Sequence, residues 1–441
     1  MAFSFRGGIH PDYQKERTAA SVIVSNLPQP ETVVIPLSQH IGVPCQPLVK
    51  VGDRVVEGQK IGDCQEGLCA PIHASIPGIV KAIEPRWNVS GIKVLSVVIE
   101  NDGTNGQIEI EPYTGEVTDV TPDQIIALAR EAGIVGMGGA AFPLHAKLRT
   151  AIDRKVTSVI INGCECEPFI TADHRAMVEY PRFIVTGAEL IRHCLGVDDV
   201  VICVEDNKPD ALATLRATAD GTGITVLELP TKYPQGGEKQ LIRAVTGREV
   251  PPGKLPMDIG CAVFNVDTCA SLYRAIYRAQ PLIKRVVTVS GSAVANPANL
   301  LARIGTSYRE LFRHCGGFTE EPYKIVTGGP MMGTAQHSLD IPVVKNTSSL
   351  LAFAPRGGEE AFPDGDTCIR CGRCVSVCPM RLQPTKIYEN AVLDRFSECA
   401  ALNVQDCIEC GCCAYVCPAK LYLVQAMRMA KSQISREGAK K

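Results

Sequence analysis

The sequence predicts a multidomain α/β chain of four units: a small β-sandwich, a Rossmann-like α/β domain, a compact strand-and-helix unit and an α-rich carboxyl-terminal domain. Three observations predict it. The chain has 441 residues, long enough for several hydrophobic cores. Its apolar pattern changes along its length, from short strands broken by Gly and Pro, through β-branched runs alternating with helical stretches, to a helical tail. Its twenty cysteines are uneven: ten lie in residues 1–367 and ten in residues 368–441. The expected boundaries are 1–115, 116–280, 281–354 and 355–441.

Composition narrows the function class. The 45 basic and 47 acidic residues nearly cancel, which gives no footprint for nucleic acid. Residues 1–17 hold no apolar signal core, and no run approaches the ~18 apolar residues of a spanning helix. The chain is therefore expected to be soluble by itself. Dense cysteine in such a chain reads as metal ligation rather than disulfides.

Residues 33–100 carry short alternating strands with Gly and Pro between them, the pattern of a small sandwich. They resemble biotinyl and lipoyl carrier domains, the barrel-sandwich hybrid fold. No lysine stands in a carrier turn, so a structural or docking module is expected, with His73 a surface or turn residue. In the second unit, Thr121-Pro122 is a helix start. Gly136, Gly138 and Gly139 then leave backbone amides bare for a phosphate or a flat ring. Residues 156–161, 200–204 and 224–229 are predicted strands, with a helix over 209–218. Polar residues after the first of these, Asn162 to Glu167, stand where α/β sheets bind ligands. In the third unit, strands are predicted over 285–290 and 323–326, with a helix at 308–315. The segment Gly328–Gly333 is a tight turn, and Pro355, Gly357, Gly358, Pro363 and Gly365 mark a linker.

The tail holds the most specific signal. Cys368, Cys371, Cys374 and Cys378 follow C-x-x-C-x-x-C-x-x-x-C before Pro379. Cys407, Cys410, Cys413 and Cys417 repeat it before Pro418. This is the bacterial ferredoxin pattern, in which the fourth cysteine of each run ligates the other cluster. Two 4Fe–4S clusters are expected, one on Cys368, Cys371, Cys374 and Cys417, the other on Cys407, Cys410, Cys413 and Cys378. Two zinc sites are the alternative. Gly372 and Gly411 let amides approach the sulfides; Cys399 and Cys412 stay unassigned. One helix is expected over 384–404 and another over 421–434, the latter ending in a solvated basic tail of Arg428, Lys431, Arg436, Lys440 and Lys441.

Four ordered segments of the second unit resemble the FMN- and NADH-binding subunit of respiratory complex I: the glycine loop ending in Phe142-Pro143, the Asn162…Glu165-Cys166-Glu167-Pro168 stretch, the Tyr233…Gly236 turn and the Asn265-Val266-Asp267-Thr268 segment. The resemblance implies an FMN site lined by Gly136, Gly138, Gly139, Lys147, Asn162, Glu165, Tyr233, Gly236, Glu238, Asn265 and Thr268. It implies that Phe142 and Glu167 contact NAD(H). Met137, Cys164 and Gly237 depart from that family's arginine, aspartate and glutamate. The third unit resembles the β-grasp (SLBB-like) domain that follows the flavin domain in those relatives.

With the opening Gly7-Gly8-Ile9-His10-Pro11, the four units in this order resemble the RnfC family, a component of the Rnf ion-translocating oxidoreductase complex. That resemblance implies two 4Fe–4S clusters, FMN, and NAD(H) as substrate. No side chain is implied as catalytic, since FMN carries the hydride. The implied partners are the ferredoxin-like component of the Rnf complex, its membrane subunits and, indirectly, ferredoxin, with no nucleic acid. The implied place is peripheral, on the cytoplasmic side of a bacterial inner membrane. A soluble NADH-dependent flavin/Fe–S reductase, such as a cobalamin reductase, shares the flavin and cluster modules. A non-enzymatic scaffold would lack NADH oxidation. The flavin-less, quinone-linked component of the sodium-pumping NADH dehydrogenase shares the front half but not the cysteine runs.

Overall fold

The structure, a computed structural model, describes residues 4–355 and 367–438. Most of the predicted linker, together with Lys440 and Lys441, lies outside the described residues.

An opening segment with the one-turn helix α1 (Glu16–Ala19) leads into seven strands: β1 (Thr32–Pro36), β2 (Gln46–Pro47), β3 (Arg54–Val55), β4 (Lys60–Asp63), β5 (Ile72–His73), β6 (Gly78–Trp87) and β7 (Lys93–Asn101). They form two antiparallel sheets, β1-β7-β6-β3 and β2-β4-β5. Alternate residues such as Val33 and Ile35 face inward and meet Ile61, Ile72, Val80, Val97 and Ile99 in one core. Two expectations are corrected here. His73 is buried in β5, and burial pushes its imidazole well down, to about 3. Cys64 and Cys69 are joined in a disulfide, so the early cysteines are not all free.

The second unit runs α2 (Pro122–Glu131), α3 (Leu144–Asp153), β8 (Ser158–Asn162), α4 (Ala172–Glu179), α5 (Pro181–Leu195), β9 (Asp199–Glu205), α6 (Pro209–Ala219), β10 (Thr225–Leu229), α7 (Glu238–Thr246), β11 (Cys261–Asn265) and α8 (Val266–Tyr277). Thr121 caps α2 reciprocally with Gln124. The sheet is parallel, in the order β10-β9-β8-β11. Helices cover both faces, which is why β8 and β11 read as unbroken apolar runs. The register sets Asn162 beside Asn265 at the carboxyl edge of the sheet.

The third unit is a five-stranded sheet with one helix: β12 (Lys284–Ser290), β13 (Ala298–Arg303), α9 (Tyr308–His314), β14 (Lys324–Thr327), β15 (Thr334–Gln336) and β16 (Ser349–Phe353), in the order β13-β12-β16-β14-β15.

The tail contains α10 (Arg373–Ser376), α11 (Pro384–Ala391), α12 (Phe396–Ala401), α13 (Cys412–Tyr415) and α14 (Leu423–Gly438). The single helix expected over 384–404 is two, because Asp394 takes the left-handed conformation (φ 56°) and the Arg395 amide bonds back to the Asn390 carbonyl. The basic side chains expected to be solvated are partly engaged: Arg428 and Lys431 bond the Glu409 carboxylate at 2.8 and 2.7 Å. Lys431 also reaches the Cys407 carbonyl at 3.0 Å. Cys399 is buried between the helices, its thiol directed at the Ile387 carbonyl at 3.5 Å.

The opening segment straps the tail onto the second unit. The Gly8 amide donates to Val377, and Ile9 exchanges backbone bonds with Tyr233. A Cβ at Gly7 would stand 2.8 Å from the Cys378 carbonyl oxygen, and one at Gly8 would stand 2.6 Å from that of Tyr233. Both have positive φ, so only glycine fits this strap without strain.

Candidate redox-cofactor sites

The tail cysteines gather across the two runs. One cavity is lined by Cys378 of the first run with Cys407, Cys410 and Cys413 of the second. Cys374 and Cys417 share a small core against which Cys368 packs, while Cys371 is exposed. Crossing follows from the local fold. Each third cysteine sits in a one-turn helix behind a left-handed glycine, Gly372 or Gly411, and each fourth lies past that turn. Equivalent amides serve both runs: Arg370 and Glu409 each donate to a cysteine sulfur at 3.4 Å, Cys368 and Cys407. Such bonds tune a cluster's potential. Among the described residues, no three of these sulfurs lie within 4.8 Å of one another. Tetrahedral zinc, with Zn–S of ~2.3 Å, would hold its sulfurs about 3.8 Å apart. Cys412, buried beside Cys413, lines the same cavity.

At the carboxyl edge of the parallel sheet, the structure brings several predicted flavin residues together. Gly138 lies against Asn265, where a Cβ would come within 3.0 Å. Gly138 and Gly139 are exposed, and a Cβ at Gly139 would meet nothing. The Met137 amide donates to Thr268 Oγ1 at 3.0 Å, and the Gly136 amide to the Phe142 carbonyl at 2.9 Å. Asn162 Nδ2 donates to the Gly236 carbonyl at 2.9 Å. Lys147 bonds the Val263 carbonyl at 2.5 Å and lies 3.6 Å from Glu238. Asn265 Oδ1 caps α8 by accepting from Asp267 and Thr268. An open main-chain loop beside a strand end and a lysine fits a flavin phosphate and ring.

Three predicted residues have protein partners of their own. Glu165 accepts from the Asp173 and His174 amides, capping α4, with Lys15 at 3.8 Å. Tyr233 is fully buried, and its hydroxyl donates to the Cys410 carbonyl at 2.7 Å. Glu167 accepts from the Met331 and Met332 amides at 3.1 and 2.9 Å, so its carboxylate is not free for a ribose as it stands. The turn whose purpose was open, Gly328–Gly333, thus closes over Glu167. Sequence reasoning missed Asp173, whose carboxylate accepts from Asn265 Nδ2 at 2.6 Å. Burial, with Glu165 and Asp267 nearby, pushes it up to about 7. An acidic residue in a helix first turn, five positions past Pro168, was the one available signal.

Glu167 yields a pH prediction. Burial raises its carboxyl from 4.5 to about 7 against the pull of the two amides. Between those values the folded chain holds a proton that the unfolded chain has lost, so stability falls as pH rises through the window. In Glu167→Gln this contribution, on the order of 3 kcal/mol across the window, disappears. Denaturant titrations at pH 4.5 and 7 check it; an equal pH slope in both proteins would refute it.

Known proteins resemble this chain in all four units. Residues 3–104 match the RnfC barrel sandwich hybrid domain, 129–274 the Nuo51 FMN-binding domain, 286–335 the SLBB domain and 361–418 the 4Fe-4S dicluster domain. Over 433 residues the chain is 47% identical to the RnfC component of the Na(+)-translocating ferredoxin:NAD(+) oxidoreductase complex of Acetobacterium woodii, covering 98% of this chain and 97% of that one. The chain belongs to the RnfC family of ion-translocating ferredoxin:NAD(+) oxidoreductase complexes. It is 45% identical to the RnfC component of the proton-translocating complex of Clostridium ljungdahlii, covering 98% of this chain and 94% of that one. As an RnfC chain it combines an FMN-binding domain with a 4Fe–4S dicluster domain. An NAD+-reducing [NiFe]-hydrogenase chain shares the fold, with a TM-score of 0.52, 16% identity and coverage of 73% of this chain and 62% of that one. Among the described residues no helix is long and apolar enough to cross a membrane.

Proposed function

We propose that this RnfC chain exchanges hydride between NAD(H) and FMN and passes single electrons through two 4Fe–4S clusters to and from the other subunits of its complex, on the cytoplasmic side of the membrane. The observation that carries it is the bond from Tyr233, in the flavin domain, to the carbonyl of the cluster ligand Cys410. Bound FMN would supply two-electron exchange with nicotinamide and one-electron exchange with a cubane.

The chain's own residues do the positioning. Gly136, Gly138 and Gly139 keep the main chain open to the phosphate and ring, with Lys147, Asn162, Gly236, Glu238, Asn265 and Thr268 around them. Phe142 offers a ring next to that loop for nicotinamide, and Glu167 would accept ribose only by exchanging the Met331 and Met332 amides. Tyr233, Glu165 and Glu167 hold the loops that join flavin domain to tail. The cluster of Cys378, Cys407, Cys410 and Cys413 adjoins the flavin domain, and a Cβ on Gly411 would come within 2.9 Å of Met331. Cys371 and Ile369 are exposed, so a cluster held by Cys368, Cys371, Cys374 and Cys417 would be open to a partner. Clusters held by these two cysteine sets would supply one-electron transfer between the flavin domain and a partner, in either direction.

NADH added without oxygen to the flavin- and iron-replete chain should bleach the flavin and then reduce a one-electron acceptor. Absence of bleaching in that protein would defeat the nicotinamide reading.

A further inference from the structure

The cysteines of the sandwich lie outside both redox sites. His40 and Cys45 are separated by four residues on one loop, Cys64 and Cys69 by four on another. Such paired spacings from two loops are how closed zinc sites are built. The pairing of β2 with β4 ends at Gln46 opposite Asp63, so Cys45 and Cys64 leave the ladder from neighbouring positions. With the disulfide formed, only Asp63, Cys64 and Cys69 among the described residues bring three ligand atoms within 4.8 Å of one another, and Cys45 with His40 would close on them once it opens. The loops then run side by side: the Val43 amide donates to Leu68 at 2.8 Å, and the Cys45 thiol points at the Ala70 carbonyl at 3.5 Å. All three cysteines are buried in one core.

His40 completes the set. Its Nε2 lies 3.6 Å from Cys45 Sγ, while Nδ1 faces the Ile41 carbonyl at 3.4 Å. A proton on Nδ1 directed at a backbone carbonyl leaves Nε2 as the bare nitrogen, the arrangement of metal-binding histidines. Asp63, with an oxygen 3.7 Å from Cys69 Sγ, is already held by Arg130 at 2.9 Å and Lys60 at 3.2 Å. It stands beside the site as a bridge to those cations, which would offset the net negative charge of three thiolates on a divalent ion.

We propose that Cys45, Cys64, Cys69 and His40 form a further metal centre, a closed tetrahedral site for a zinc-type divalent cation in the reduced protein, and that the Cys64–Cys69 disulfide is its oxidised, metal-free form. The eight cluster thiols require a compartment in which dithiols keep cysteines reduced. There a cellular dithiol gives two electrons to the S–S bond and becomes a disulfide itself, while the two freed sulfurs take up two protons. The cation then displaces the protons of Cys45, Cys64 and Cys69 into solvent. The centre matters to the flavin loop because Met137 and Ala141 pack in the same core and the Ile41 amide bonds the Ala141 carbonyl at 3.4 Å. Metal at this point would pin both ends of that loop.

The test uses the full, cluster-loaded chain, reduced anaerobically with a phosphine and dialysed against zinc at limiting concentration. Elemental analysis should give about one zinc per chain with iron unchanged, and zinc X-ray absorption should show three sulfurs and one nitrogen. Cys64→Ser should lower bound zinc at least tenfold with iron unaltered. His40→Ala, a change at a half-buried position that leaves the core in place, should weaken zinc retention at least tenfold, which keeps the proposal falsifiable if the cysteine variant misfolds. Zinc bound by four sulfurs (hence in the tail), zinc retained in both variants, no zinc in the wild type, or a Cys64–Cys69 disulfide surviving the phosphine would each overturn it.

Discussion

Cys378→Ser should lower iron from about eight to about four per chain and spare the cluster of its own cysteine run. The reason is spatial. Cys378 lines the cavity of Cys407, Cys410 and Cys413, whereas Cys368 and Cys374 of its run pack with Cys417. On the proposed reading, loss of the inner cluster would break the path where it adjoins the flavin domain. Electron transfer from NADH to a one-electron acceptor at the outer cluster should therefore fall by at least a hundredfold, while flavin bleaching persists. Iron analysis with electron paramagnetic resonance of the reduced chain distinguishes the outcomes. Loss of the outer cluster's signal instead would mean that each run ligates its own cluster.

Lys345→Met should produce the largest loss of stability. The Lys345 side chain is buried where three units meet. Its Nζ donates to the Pro71 carbonyl of the sandwich and the Gly133 carbonyl of the flavin domain, both at 2.6 Å. Its own carbonyl accepts from buried Arg285 at 2.8 Å. Burial lowers the amine from 10.5 to about 7, and a neutral amine still has two hydrogens for these two acceptors. Methionine fills similar space but leaves both carbonyls bare, at a cost of about 2–4 kcal/mol. Between about pH 7 and 10.5 the unfolded chain binds a proton that the folded chain lacks, so the wild type gains stability as pH rises through this window. The variant should lose that gain. Calorimetry at pH 7 and 9 reads both effects, and a first transition unchanged in position and in pH slope would sink the assignment.

Sequence legibility differed between the parts. Spacing alone made the cysteine runs readable, because a cubane needs thiolates at fixed short intervals and tight turns supply them locally. The strands β8 and β9 were readable from β-branched runs, since a parallel sheet is buried on both faces. Elsewhere local pattern left the packing unread. His73 has the neighbours of a turn residue and lies in a core. Glu167 and Tyr233 carry a flavin-site motif, yet their polar atoms face the Met331–Met332 turn and the Cys410 loop. Those partners lie 164, 165 and 177 residues away, too far for periodicity or spacing to report.

The sequence by itself determined the order of the four units and the iron–sulfur pattern, because turns, strand runs and thiolate spacing are local properties of the chain, while its resemblance to the complex I flavin subunit supplied FMN. Only the tertiary structure decided which residues face which site. Packing the opening strap, the Gly328–Gly333 turn and the tail against the flavin domain gives each buried donor and acceptor a long-range partner, since leaving one unpaired costs more than any local preference can return.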